Sequence, residues 1–107
     1  MAIVHINNEN FKELLEGDKP VFVDFFATWC GPCKMQGPIL EQMSEDMADK
    51  IVIGKVDIDE CLEIAQNYGI MSVPTMILFN KGAEAARAVG FRQKAQLEEL
   101  INSKLNA

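Results

Sequence analysis

The run Val21-Phe22-Val23-Asp24-Phe25-Phe26-Ala27 restricts the fold more than any other part of the chain. It is nearly all apolar, β-branched or aromatic, so its alternate residues do not divide into a core face and a wet face. A strand of that kind belongs in the middle of a sheet that is covered on both sides. Directly after it, Met35, Ile39, Leu40, Met43 and Met47 recur at helical spacing. Pro38 lies within that stripe, where it removes a backbone hydrogen bond and bends the helix.

The remaining elements follow from the same periodicities. Residues 3–6 read as a short strand, and Asn7 or Asn8 caps a helix in which Phe11, Leu14 and Leu15 share a face. Gly17 ends that helix ahead of Pro20. Residues 51–58 read as a strand, and Leu62, Ala65 and Tyr68 mark a short helix closed by Gly69. Residues 75–79 and 83–89, joined by Asn80-Lys81-Gly82, read as a hairpin. Leu97, Leu100, Ile101 and Leu105 mark a last helix. The order βαβαβαββα implies an α/β fold with crossover units first and an antiparallel hairpin last. With 107 residues and no repeats or linkers, a single domain over 1–107 is expected.

Charge narrows the partners. Sixteen Asp and Glu against ten Lys and Arg give a net charge of −6, with no basic stripe to follow a phosphate backbone. Nucleic acid is therefore not an expected partner, and the acidity serves solubility. The opening Met1-Ala2-Ile3-Val4-His5-Ile6-Asn7 lacks the basic and long apolar regions of a secretory signal. The longest apolar runs are too short to span a bilayer. A cytoplasmic, monomeric chain with no membrane attachment is expected. Three cysteines make a poor disulfide framework, and in a cytosolic chain a close pair is catalytic or metal-binding.

That pair is Cys30 and Cys33, in Trp29-Cys30-Gly31-Pro32-Cys33, where the central strand gives way to the helix. Residues at i and i+3 of a first helical turn share a face, with Cβ atoms about 5–6 Å apart. A disulfide needs roughly 3.8 Å, so a small adjustment interconverts dithiol and disulfide. Pro32 stiffens the turn and Gly31 leaves the backbone around Cys30 unobstructed. The first-turn amides lack helical partners and the helix dipole is positive there, which favours a Cys30 thiolate. Lys34 adds a nearby positive charge. Cys33, one turn deeper, is expected to be less accessible and to react second. The other readings are half of a zinc site, for which only Cys61 and His5 remain as further ligands, or two unrelated buried thiols.

At this point a resemblance becomes specific. The segment from Val23 to Met35 resembles the active-site region of the thioredoxin family, as do Lys55-Val56-Asp57, Tyr68-Gly69-Ile70, Val73-Pro74-Thr75, Asn80-Lys81-Gly82 and Val89-Gly90. The similarity runs in order along essentially the whole chain. It implies a thioredoxin fold, a central mixed sheet of about five strands flanked by about four helices. It also implies reduction of disulfides in target proteins through a reversible Cys30–Cys33 disulfide. No bound cofactor is implied. Electrons would come from a thioredoxin reductase, itself flavin-containing and fed by NADPH.

The resemblance also assigns roles to residues that are ambiguous alone. Asp24, a carboxylate in an apolar strand, is either an outward-facing residue on an irregular strand or a buried group with a raised pKa. The family pattern makes it the acceptor of the Cys33 proton, with Lys55 as its electrostatic partner. By the same analogy Pro74 is cis and packs opposite the cysteines, leaving the Val73 backbone free to pair with a substrate strand. Trp29, Gly31, Pro32, Val73, Pro74 and Gly90 then form a flat apolar docking surface, whereas Trp29 alone reads equally as a core residue. Three departures stand out. Phe26 occupies a position where the family often has Trp, a change expected to affect packing more than chemistry. Gln36-Gly37 replaces an apolar residue and Ala, implying a looser bend at Pro38 and a shift in partner preference. Cys61, beside Asp59 and Glu60, reads as a structural thiol, with a regulatory or dimer-forming cysteine as the minority reading. An oxidase or isomerase of the same fold, and a binding module using the same surface, are the rival functions.

Overall fold

The computed structural model describes residues 3–105. In chain order the elements are β1 (Ile3–His5), α1 (Phe11–Leu15), β2 (Val21–Phe26), α2 (Gly31–Asp46), β3 (Val52–Asp57), α3 (Leu62–Asn67), β4 (Thr75–Asn80), β5 (Ala83–Val89) and α4 (Lys94–Leu105). The strands form one sheet in the order β1-β3-β2-β4-β5. β1 and β2 both run parallel to β3, whereas β4 is antiparallel to β2 and to β5. This is the α/β architecture and the mixed five-stranded, four-helix thioredoxin fold that the sequence implied.

β2 lies in the middle because its side chains leave no alternative. Val21, Val23 and Phe25 point to one face, among Val56, Ile64, Ile77 and Phe79, with Phe11, Leu14, Leu15 and Tyr68 packed against them. Phe22 points to the other, among Leu40, Met43 and Met47 of the α2 region and Leu97 and Ile101 of α4. Burying a side chain of this size contributes about 1.5–3 kcal/mol, and β2 does so on both sides. α1 has only five residues, too few to hold a helix by itself. It is fixed from outside, with Phe11 meeting Tyr68 and Phe79 edge to face at centroid distances of 5.8 and 5.9 Å.

Local signals decide the ends. The N-cap of α1 is Asn10, neither Asn7 nor Asn8. Asn7 instead closes the turn before the helix, its Oδ1 accepting from Glu9 and Asn10 N–H while Asn10 Oδ1 accepts from Asn7 N–H at 2.8 Å. This reciprocal arrangement fixes the chain leading into the helix, while Asn10 gives the helix amides no side-chain cap. α3 closes through Gly69, at φ 63°, with Ile70 N–H donating to Ala65 O at 3.0 Å and Gly69 N–H to Gln66 O. That is a Schellman end, which needs the left-handed residue glycine supplies. The hairpin loop is Lys81-Gly82 alone, both at positive φ, because Asn80 already pairs with Ala83. α2 continues through Pro38 as one helix. Two expected core residues face solvent. Met35 is exposed on the helix, with Gln36 buried beside it, and Leu62 is exposed while Ile64 and Ala65 take the buried side of α3.

Gly54 shows how tightly β3 meets the first strand. A Cβ there would lie 2.5 Å from Ile6 Cδ1, 2.9 Å from its Cγ1 and 3.2 Å from the Val4 carbonyl oxygen. Gly54→Ala is therefore expected to lower stability by about 1–3 kcal/mol in urea unfolding, the usual effect of overpacking. Adding Ile6→Val, which removes Cδ1, should restore part of the loss. A double variant no more stable than Gly54→Ala would place the origin of the effect elsewhere.

Candidate active site

The site forms where β2 ends. Ala27 O accepts from Cys30 N–H at 3.2 Å, closing a turn that puts Cys30 at the N-cap of α2 with extended backbone angles of φ −92° and ψ 116°. Its Sγ accepts the Cys33 N–H at 3.1 Å, one of the amides that have no partner within a helix. Pro32, in the first turn, has no N–H to leave unpaired. The two cysteines are joined as a disulfide with Cα atoms 5.3 Å apart. When the disulfide is reduced, the same amide and the positive helix end stabilise negative charge on the Cys30 sulfur.

The expected difference in accessibility between the cysteines does not appear as burial, since Cys30 is 5% and Cys33 7% exposed. They differ instead in what they face. Cys30 opens on a cleft of about 450 Å³ that Trp29, Gly31, Pro32, Ile58, Ile70, Met71, Ser72 and Val73 also line. Cys33 opens on another, with Phe26, Ala27, Thr28, Lys34, Gly37 and Lys55. The two sulfurs are bonded to each other, yet the two residues border different clefts.

Of the six residues assigned to a docking surface, Trp29, Gly31, Pro32 and Val73 line the Cys30 cleft. Pro74 is buried behind it, and its bond to Val73 is cis. Gly90, at φ 91°, reaches the site indirectly, donating its N–H to Pro74 O at 2.7 Å. The Val73 carbonyl oxygen lies 3.7 Å from Cys30 Sγ. Trp29 is 67% exposed rather than a core residue, and its indole N–H donates to Asp59 Oδ2 at 2.9 Å. Sequence reasoning did not reach Asp59, Ile58, Ile70 or Met71. Met71, 94% exposed in an apolar cleft, carries no motif by which it could have been found.

Asp24 is 4% exposed, and its Oδ1 has no hydrogen-bond partner among the described residues. Strand pairing sets it against Lys55 on β3 and Met76 on β4, on the same face of the sheet as Phe22 and hence toward α2. Burial pushes its pKa up to about 7, opposed by the Lys55 charge. Lys55 makes no salt bridge with it within 4 Å, and its Nζ sits 5.3 Å from the centroid of the Phe26 ring. Cys61 is buried, its Sγ 3.8 Å from Ile6 O, and burial together with Glu60 and Asp57 raises its pKa. Those surroundings suit an inert structural thiol. Among the described residues no three His, Cys, Asp or Glu side chains gather as metal ligands, and no helix is long and apolar enough to cross a membrane.

A cysteine pair that switches between thiols and disulfide at a helix N-terminus, open on one side to an apolar cleft, is the centre of a dithiol–disulfide oxidoreductase. Comparison with known proteins agrees. The thioredoxin family profile matches residues 2–103. The chain is 45% identical to the thioredoxin of Bacillus subtilis (strain 168) over 106 residues, covering 98% of this chain and all of that one. It is also 45% identical to the thioredoxin of Alicyclobacillus acidocaldarius subsp. acidocaldarius over 97 residues, 91% of this chain and 92% of the other. The thioredoxin of Acidithiobacillus ferridurans is 42% identical over 105 residues, 97% of each. The chain belongs to the thioredoxin family, and its activity is protein dithiol–disulfide exchange at Cys30 and Cys33.

The raised pKa of Asp24 makes a signed prediction. Its folded value, about 7, lies above the ordinary 3.8 of an aspartate, so ionisation opposes folding. The penalty is absent below about pH 4, grows as pH rises toward 7 and is constant above that. Asp24→Asn should accordingly raise stability at pH 8 by up to about 4 kcal/mol, at about 1.36 kcal/mol per unit, and by nothing from this source at pH 4. Urea unfolding at both pH values measures it. An equal gain at both would show that the Asp24 charge is not responsible.

Proposed function

We propose that this chain is a general reductant of protein disulfides, in which Cys30 attacks and Cys33 resolves. The observation that carries the reading is the placement of Cys30 Sγ, held by the Cys33 N–H at 3.1 Å and facing an apolar cleft. The Cys30 thiolate attacks one sulfur of a target disulfide. A mixed disulfide forms, the target S–S bond breaks, and the other target sulfur leaves as a thiolate that takes a proton from solvent. Cys33 then loses its proton to Asp24 and attacks the Cys30 sulfur. The bond between Cys30 and the target breaks, the second target sulfur leaves as a thiolate that takes a proton, and two electrons have passed from the pair to the target.

Asp24 suits the proton step because a carboxylate with a pKa of about 7 is partly ionised at neutral pH and both takes and returns a proton readily. Lys55 biases that equilibrium toward the carboxylate. The Val73 backbone, beside Cys30, pairs with an extended segment of the target, and Trp29, Gly31 and Pro32 supply the surrounding surface. Pro74 and Gly90 support Val73 from behind. The disulfide is re-reduced by a thioredoxin reductase carrying electrons from NADPH through flavin. Disulfide-containing proteins and that reductase are the partners, and the chain works as a monomer of one domain in the cytoplasm. This reading rests on family membership and on the sequence features given above.

Two experiments test it. In insulin reduction with dithiothreitol as electron source, Cys30→Ser should fall to the uncatalysed rate, and Cys33→Ser should accumulate a mixed disulfide visible on a non-reducing gel. The reduction potential of the pair decides direction. A value at or below about −200 to −230 mV supports a reductant, whereas one near or above about −180 mV points to disulfide formation or isomerisation and overturns the proposal.

A further inference from the structure

Gln36 is a completely buried side chain, 0% exposed, whose amide is engaged at both ends. Its Nε2 donates to Arg92 O at 3.0 Å, and Arg92 N–H donates to its Oε1 at 2.9 Å. The carboxamide thus pairs with the backbone of Arg92 as a neighbouring strand would. The partners are 56 residues apart in sequence. Gln36 lies on α2 one turn beyond Cys33, and Arg92 lies between β5 and α4. An apolar side chain would fill the same space without the desolvation that an amide suffers, so packing alone does not account for a glutamine.

The connection continues past Arg92. Two residues back, Gly90 N–H donates to Pro74 O at 2.7 Å, and the preceding Val73 carbonyl approaches Cys30 Sγ to 3.7 Å. Cys30 in turn caps α2, the helix that carries Gln36. The contacts close a ring that passes from α2 through residues 90–92 and 73–74 to Cys30 and back to α2. Two of its links run from a side chain to backbone, Cys30 Sγ to Val73 O and Gln36 to Arg92, and Gln36 is completely buried.

We infer that Gln36 is a positioning residue that fixes residues 90–92, and through Gly90 and Pro74 the Val73 backbone, in register with Cys30. It acts on the docking of a protein disulfide and leaves thiol chemistry with a small disulfide untouched. The inference rests on the reading that Val73 pairs with the target chain. It also assigns a physical basis to a partner preference at Gln36, separate from any loosening of the helix at Gly37.

Gln36→Met keeps the volume and removes both bonds. The expected result is a rise in KM for insulin of about five- to tenfold, the range for losing a buried hydrogen-bonded pair, with kcat and the rate toward 5,5′-dithiobis(2-nitrobenzoate) unchanged. Amide hydrogen exchange at Gly90, two residues from the lost bonds, should quicken along with that at Arg92. A lower melting temperature with unchanged insulin KM would make Gln36 structural only and overturn the inference, as would faster exchange at Arg92 with Gly90 still protected. If Gln36→Met does not fold, Gln36→Glu, which keeps the bond from Arg92 N–H and loses the one to its carbonyl, is read by the same two assays. Failure of the unsubstituted protein to reduce insulin would remove the docking reading and this inference together, whereas an unchanged KM in the variant removes the inference alone.

Discussion

The structure depends on β2 being bonded along both edges and buried on both faces. β3 holds one edge over Val21 to Phe26 and β4 the other over Val21 to Phe25. A strand so constrained has no freedom of register, because a slip of one residue would exchange every side chain between the two cores. Its C-terminal end is consequently the most fixed point from which a catalytic residue could be presented. The turn from Ala27 to Cys30 converts that fixed strand into a helix N-terminus within three residues, and the thiol arrives where the Cys33 amide has no helical partner and bonds its sulfur. Rigidity and electrostatics thus come from the same junction.

The same strand carries the group least suited to it. Asp24 lies between Val23 and Phe25, both 0% exposed, with an oxygen that no group among the described residues satisfies. Such a site destabilises the fold whenever the carboxylate is ionised, and the surrounding apolar packing on both faces must offset it. The cost and the proposed proton step have one origin, for a carboxylate left in water would remain ionised and accept protons poorly near neutral pH. Lys55 moderates the effect from a distance. It is not drawn into a salt bridge, and its ammonium lies over Phe26 instead, so its field reaches Asp24 without quenching the proton affinity that burial creates.

How much of this was legible in the sequence follows from the range of each interaction. The order of elements, the central place of β2 and the ends at Gly69 and Gly82 are set by residues within a few positions, and periodicity and turn chemistry reveal them. The Cys30–Cys33 pair was legible for the same reason. The cap of α1 was misplaced, at Asn7 or Asn8 instead of Asn10. Met35 and Leu62 were misplaced because apolar spacing marks a helix face without saying where the stripe stops. Trp29 could not be placed by type alone, as its exposure depends on Asp59, thirty positions away. Gln36 was legible only as a departure from a pattern. Its partner is a main-chain segment 56 residues on, and a backbone acceptor leaves no mark in the amino-acid sequence.

The separation of the two sulfurs into different clefts has a consequence for the exchange reaction. In the mechanism proposed above, the target disulfide approaches Cys30 from the side of Trp29 and Val73, which line the cleft, and the thiolate is held by the Cys33 amide. During resolution, Cys33 must lose a proton while the target still covers that cleft. A proton route through the occupied side would be closed. Cys33 faces Phe26, Thr28 and Lys55, and Lys55 pairs in register with the buried Asp24, so the proton acceptor proposed above lies away from the cleft a target would cover. Docking and deprotonation can then proceed at once on opposite sides of one helical turn, which is what an exchange through a mixed disulfide requires.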